Sequence, residues 1–311
     1  MQRLDETAKG VCAILATPFA QDGALDTASI GTLVEYYLRH GSNAVTILGM
    51  MGEAQKLDAA ENGAVITTTL SAMAGAGPVI VGASSPGVRL TADLAKFAMD
   101  QGCAGVMVAP LGGLRTDEQI FGYYANVIAA MGDVPLVIQD FPTATGVMMS
   151  AGLLGRLIDE FPQVVMIKHE DYPGLNKLSR LRADQANGRR RVSILVGNGA
   201  LHLPQELARG ADGAMSGFSY PEMMSGVVSR FAAGDADGAE DLFDCYLPLV
   251  RHEAQPGFGI AARKEILVRR GAIASNHVRQ PGPKLTPADI VDLDRLIGRL
   301  ERRLAALGFA A

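Results

Sequence analysis

The sequence predicts an α/β fold, a (β/α)8 TIM barrel followed by a C-terminal three-helix appendage. Short apolar runs rich in β-formers alternate with stretches of helical periodicity, and the alternation repeats eight times before it stops near Gly234. Such alternation implies parallel strands joined by right-handed crossovers, and eight units suffice to close a barrel. The size agrees, since 311 residues at 48% hydrophobic content supply one barrel-sized core plus an addition. An open doubly wound sheet is the alternative. No apolar run is followed by a complete G-x-G-x-x-G, and Gly197-Asn198-Gly199 is too short a match, so a dinucleotide cofactor is not expected.

The strand runs read at 11–19, 44–49, 78–84, 105–110, 135–141, 164–170, 193–199 and 213–218. Helical stretches lie between and after them, near 27–40, 58–73, 88–101, 116–131, 150–160, 173–187, 201–209 and 221–233. Three further helices are expected near 236–253, 257–270 and 287–307, which divides the chain into a barrel, 1–233, and a C-terminal helical segment, 234–311. Glycine is abundant, 36 residues, and gathers at the junctions of the runs, as many short loops require.

A net charge of −5 gives no electrostatic reason to expect a nucleic acid partner. The first ten residues are polar where a secretory signal needs an apolar core, and no apolar run is long enough for a membrane span. A cytoplasmic protein is expected. Cys12, Cys103 and Cys245 are odd in number and widely spaced, which suits apolar packing rather than a disulfide framework or a metal cluster. The basic run Arg189, Arg190 and Arg191 reads as a solvated loop, and the charged stretch 263–270 as an exposed helix face or subunit contact.

The chemistry-bearing segment is the sixth strand, Val164-Val165-Met166-Ile167-Lys168, followed by His169, Glu170 and Asp171. Desolvation at the mouth of a buried strand favours the neutral amine of a lysine, a nucleophile able to form an imine. Strand side chains alternate, so Lys168 and Glu170 share one side and His169 takes the other. Two ionisable groups inside an apolar barrel are unfavourable unless paired or catalytic. Barrel enzymes build their sites at the C-terminal strand ends. There the second strand ends in Gly49-Met50-Met51-Gly52-Glu53, whose free backbone N–H groups suit a carboxylate, with Glu53 read as part of the helix entrance. The fifth ends in Gln139-Asp140-Phe141-Pro142. Ser84, Gly112, Gly113, Asn198, Ser216 and Phe218 fall near other predicted mouths.

In the order and spacing of Ala16-Thr17-Pro18-Phe19, Gly49-x-x-Gly52-Glu53, Pro142 with Thr145-Gly146, Ile167-Lys168 and Gly210-Ala211-Asp212-Gly213, the chain resembles the dihydrodipicolinate synthase and N-acetylneuraminate lyase family of Schiff-base-forming barrel enzymes. The resemblance covers nearly the whole chain. It implies a homotetramer or homodimer, Lys168 as the imine-forming residue, and Met50 and Met51 backbone amides that receive the carboxylate of a small-molecule 2-keto acid. No metal or organic cofactor is implied, because the lysine itself bonds the substrate.

Departures from the family pattern narrow the activity. The usual proton-transfer tyrosine is Gln139, the threonine pair of the turn is Met50 and Met51, the tyrosine pair after the fourth-strand proline is Leu111 and Gly112, and the arginine for a second carboxylate is Ala144. The synthase activity is therefore disfavoured. Lys168-x-Glu170 with Gln139-Asp140-x-Pro142 resembles the 2-keto-3-deoxy-sugar-acid dehydratase branch, in which the glutamate replaces the tyrosine. Lys168 and Glu170 are then the expected catalytic residues, and Met50, Met51, Gln139, Asp140 and Ser216 the expected substrate-binding ones. A pyruvate-forming aldolase and a silent keto-acid sensor are the alternatives.

Overall fold

The computed structural model describes residues 3–309, so residues 1–2 and 310–311 at the ends of the two expected ranges lie outside it. Eight strands, β1 (Gly10–Ile14), β2 (Ala44–Ile47), β3 (Val79–Gly82), β4 (Gly105–Val108), β5 (Leu136–Asp140), β6 (Val164–His169), β7 (Ser193–Val196) and β8 (Gly213–Ser216), pair in parallel in chain order, and β8 returns to β1. The chain is a closed (β/α)8 barrel. Its strands are shorter than the apolar runs, because residues past each ladder bend away to form the mouth. In the first run the Leu15 N–H still bonds the Thr46 carbonyl at 2.9 Å, but Pro18 has no N–H with which to continue.

Alternation divides the wall. Cys12, Ile14, Ile80, Met107, Val137 and Met215 fill the interior, while their strand neighbours face a helical ring. That ring consists of α1 (Thr27–Arg39), α2 (Ala59–Met73), α3 (Val88–Gln101), α4 (Asp117–Met131), the single turn α5 (Pro142–Thr145), α6 (Ala151–Glu160), α7 (Leu175–Ala186), α8 (Leu203–Ala208) and α9 (Pro221–Ala232). Several helices begin where their sequence says they should. Asp58 with Glu61, and Thr116 with Gln119, exchange side-chain and backbone bonds as capping boxes.

One irregularity decides the orientation of the chemistry. The β5–β6 register steps from Leu136 opposite Val164 to Val137 opposite Met166, which leaves Val165 as an extra residue, and Val165 and Met166 both pack inside. Val164 faces the helices. Strict alternation from Val164 would send Lys168 outward, and the bulge reverses the phase so that Lys168 lies inside, opposite Gln139.

The appendage is α10 (Ala236–Glu253), α11 (Gly259–Arg269) and α12 (Pro287–Leu307). Val11, Val196 and Ala214 on the outer face of the barrel share one apolar cluster with Phe243, Tyr246, Ile266 and Leu300, so the appendage and barrel are welded by a common core. This overturns the exposed reading of 263–270. Arg263 is 4% exposed and Lys264 0%, because each meets a buried carboxylate, Glu253 and Glu53 respectively. The run 189–191 is also more than a solvated loop. Arg190 donates to the carbonyls of Ile158, Phe161 and Val164 at 2.6, 3.0 and 2.9 Å, satisfying the end of α6. Cys12, Cys103 and Cys245 are buried and free. Among the described residues no helix is long and apolar enough to cross a membrane.

Candidate active site

At the C-terminal end of the barrel, Lys168 Nζ lies 2.9 Å from Glu170 Oε2, with both side chains 6% exposed. The same carboxylate oxygen accepts from Gln139 Nε2 at 2.7 Å, and Oε1 accepts from the Asn198 N–H at 3.2 Å. Asn198 Nδ2 donates to the Glu170 carbonyl at 3.0 Å. Glu170 is thus held from β5 on one side and from the loop after β7 on the other. Deeper inside, burial pushes the Cys12 thiol up to about 12, opposed by its bond to Thr46 and by the nearby charge of Lys168.

The loop after β7 makes room for this carboxylate. A Cβ at Gly197 would stand 2.3 Å from Glu170 Oε1 and 2.5 Å from its Cδ, so only glycine fits there. Asn198, Gly199 and Ala200 then run through positive φ of 49°, 68° and 65°. Asn198 and Ala200, the two that are not glycine, store strain of the kind found around functional sites. Sequence reasoning set Gly197-Asn198-Gly199 aside as a truncated dinucleotide fingerprint. Glycines clustered at a strand end were the available signal, and what they accommodate is the Glu170 side chain at the end of the neighbouring β6.

Met50 and Met51 lie in a 3-10 turn, Met50–Gly52, flanked by Leu48 and Glu53 at positive φ of 55° and 53°. Among the described residues the Met50 and Met51 N–H groups have no hydrogen-bond partner, and Met51 packs against the interior cluster. The turn is braced from β1, since Thr17 Oγ1 donates to the Gly52 carbonyl at 2.6 Å.

Two expected substrate contacts do not reach the interior. Asp140 is fully buried on the helix side, where Lys177 bonds its Oδ2 at 2.9 Å and His169 Nδ1 lies 3.6 Å from it. The cause is alternation: Gln139 faces in, so its neighbour Asp140 cannot. Ser216 pairs with Ala13 and shares its outward phase, between the inward Met215 and the mouth. His169 faces the helices, bonded to the Gly174 carbonyl at 3.0 Å. Burial is the largest influence and opposes its charge, but Asp140, the Gly174 carbonyl and Glu206 together raise its proton affinity. Nearby, burial raises the Glu206 carboxyl to about 7.

A separate cavity of about 370 Å³ opens at the opposite end, lined by Asn43, Pro78 and Cys12. It lies under the strand starts, away from the mouth loops where barrel chemistry is built. Among the described residues, tyrosine hydroxyls bond the carbonyls of Ser219, Gly217, Phe218, Ala109 and Val108, and none bonds Lys168 or Glu170. No group of three or more His, Cys, Asp or Glu among them is placed to hold a metal ion.

With this geometry in place, the model of the dihydrodipicolinate synthetase family matches residues 7–297. The chain belongs to that family. Members of this family are lyases, and the chain is an enzyme of the same kind. It is 32% identical over 300 residues, 94% of each chain, to an L-2-keto-3-deoxyarabonate dehydratase of Azospirillum brasilense. It is 32% identical over 231 residues, 73% of this chain and 75% of the other, to a 4-hydroxy-tetrahydrodipicolinate synthase of Thermus thermophilus. The crystal structure of a dihydrodipicolinate synthase from Rhodopseudomonas palustris superposes with a TM-score of 0.94 at 45% identity, over 96% of this chain and 100% of that one.

Proposed function

We propose that this family member dehydrates a 2-keto-3-deoxy sugar acid through an imine on Lys168. The observation that carries the reading is the enclosed Lys168–Glu170 pair at 2.9 Å, with Gln139 in the place where the family pattern has a tyrosine. The Azospirillum relative, matched over 94% of both chains, bears the name of such a dehydratase and supports the choice.

In the proposed reaction the neutral Lys168 amine attacks the C2 carbonyl carbon, and water leaves to give a protonated imine. The imine withdraws electrons from C3. Glu170 takes a C3 proton, the electron pair enters the enamine, and the C4–O bond breaks as Glu170 returns its proton to the departing hydroxyl. Water then hydrolyses the imine, and the net change is the loss of one water. The Met50 and Met51 amides hold the substrate carboxylate, and the Gln139 bond keeps the working oxygen of Glu170 in place. Family members that cleave C3–C4 pass through the same enamine, so the products separate the readings. A panel of 2-keto-3-deoxy sugar acids, followed by mass spectrometry, is expected to yield a product lighter by one water. Pyruvate plus an aldehyde would make the protein an aldolase, and no turnover of any member, with no trapped imine, would make it a sensor.

A further inference from the structure

A second buried ammonium bears on the same site from outside the barrel. Glu53 follows the Met50–Gly52 turn, and its carboxylate takes a separate set of donors on each oxygen. Oε1 receives Lys264 Nζ at 2.7 Å, while Oε2 receives Lys56 Nζ at 2.8 Å and the Arg279 N–H at 3.1 Å. Lys264 also donates to the His277 carbonyl at 2.8 Å and lies 4.4 Å above the Phe19 ring, with the Arg279 guanidinium 4.2 Å from that ring. Phe19 lies on the loop after β1, from which Thr17 grips Gly52. Apart from Lys56, which follows the turn itself, these contacts come from the loop after β1 or from the appendage.

An apolar pair of similar volume would fill this place with less desolvation, so stability gives a weak reason for burying these charges. A positional role gives a better one. Glu53 is a non-glycine residue at φ 53°, a conformation that persists only where neighbours enforce it. We propose that Lys264 is a positioning residue, clamping Glu53 so that the Met50 and Met51 amides stay aimed at the carboxylate of the 2-keto acid. This rests on the reading that the turn receives that carboxylate. Through Lys264 the appendage becomes part of the binding apparatus.

The charged groups that face Lys264 are Glu53 and Lys56 from the turn and Arg279 from the segment after α11. Burial lowers the Lys264 proton affinity to about 8, partly restored by Glu53. The clamp should therefore loosen as the pH rises past that value.

The test measures the apparent affinity for pyruvate by borohydride trapping, together with steady-state kinetics, in the full-length wild type, K264M and E53Q. Losing a charged hydrogen bond is expected to raise KM about 10- to 100-fold while kcat changes little. Wild-type KM should climb above about pH 8, and the climb should be absent in both variants. E53Q keeps the volume of the side chain and carries the test if K264M does not fold. Pyruvamide, which lacks the carboxylate, separates the two readings. If the wild type does not prefer pyruvate to pyruvamide, the turn is not the carboxylate site. If it does and the variants keep that preference and an unchanged KM, Lys264 has no positioning role.

Discussion

Two buried lysine–glutamate pairs of nearly equal length serve different ends. Lys168–Glu170, at 2.9 Å, stands inside the barrel, and Lys264–Glu53, at 2.7 Å, lies between the barrel and its appendage. Around Lys264 the hydrogen-bonding capacity is spent, on a carboxylate, a carbonyl and an aromatic face. Around Lys168, among the described residues, Glu170 is the one partner within ion-pair reach. The ammonium of Lys264 is locked, whereas Lys168 keeps N–H donors without an acceptor among the described residues. Burial alone does not mark a reactive lysine; burial with unsatisfied bonding capacity does.

The sharpest way to break the comparison is to remove each acid in turn. Glu170→Gln should lower kcat by about 10²- to 10⁴-fold, the usual worth of general acid–base help, while the imine with pyruvate still forms. Glu53→Gln should leave kcat nearly intact. Equal losses of kcat in the two variants would erase the distinction. Gly197→Ala comes next, because its Cβ would displace the Glu170 carboxylate it now lies against. A shift of about 1 Å is worth up to ~10²-fold in rate, so kcat should fall with little change in thermal stability or in pyruvate trapping. Unchanged kcat would mean that Glu170 need not sit where it does.

The smallest expected effect concerns the helix-side carboxyl of Glu206, raised to about 7 by burial. A carboxyl that holds its proton more tightly when folded contributes stability that is fully present below its unfolded value. The contribution is lost as the pH rises through about 7. Denaturant unfolding of Glu206→Gln should accordingly fall less than wild type between pH 5 and 7, and parallel curves would deny Glu206 this role.

The alternation of short apolar runs and amphipathic stretches made the barrel readable, since that period is set by local packing. The facing of Lys168 was less so. It depends on the extra residue at Val165, and a run of four consecutive apolar residues offers no polar marker to place a bulge. Asp140 was misplaced because the alternation applied to Lys168 and Glu170 holds equally for Gln139 and Asp140, and both cannot face inward. Lys264 read as part of a solvated face because its carboxylate partner, Glu53, lies more than two hundred residues away, and the partner of Arg263, Glu253, sits on a different helix. Long-range pairs of this sort leave no periodic trace. Gly197 carried a signal, a glycine cluster at a strand end, whose meaning required knowing that Glu170 would stand beside it.

The most direct measurement is peptide mapping after sodium borohydride reduction in the presence of pyruvate. One covalent adduct is expected, on the peptide that contains Lys168, with Lys264 unmodified. An unmodified Lys168 under conditions that trap a known imine-forming relative, or an adduct on Lys264 instead, would contradict this expectation.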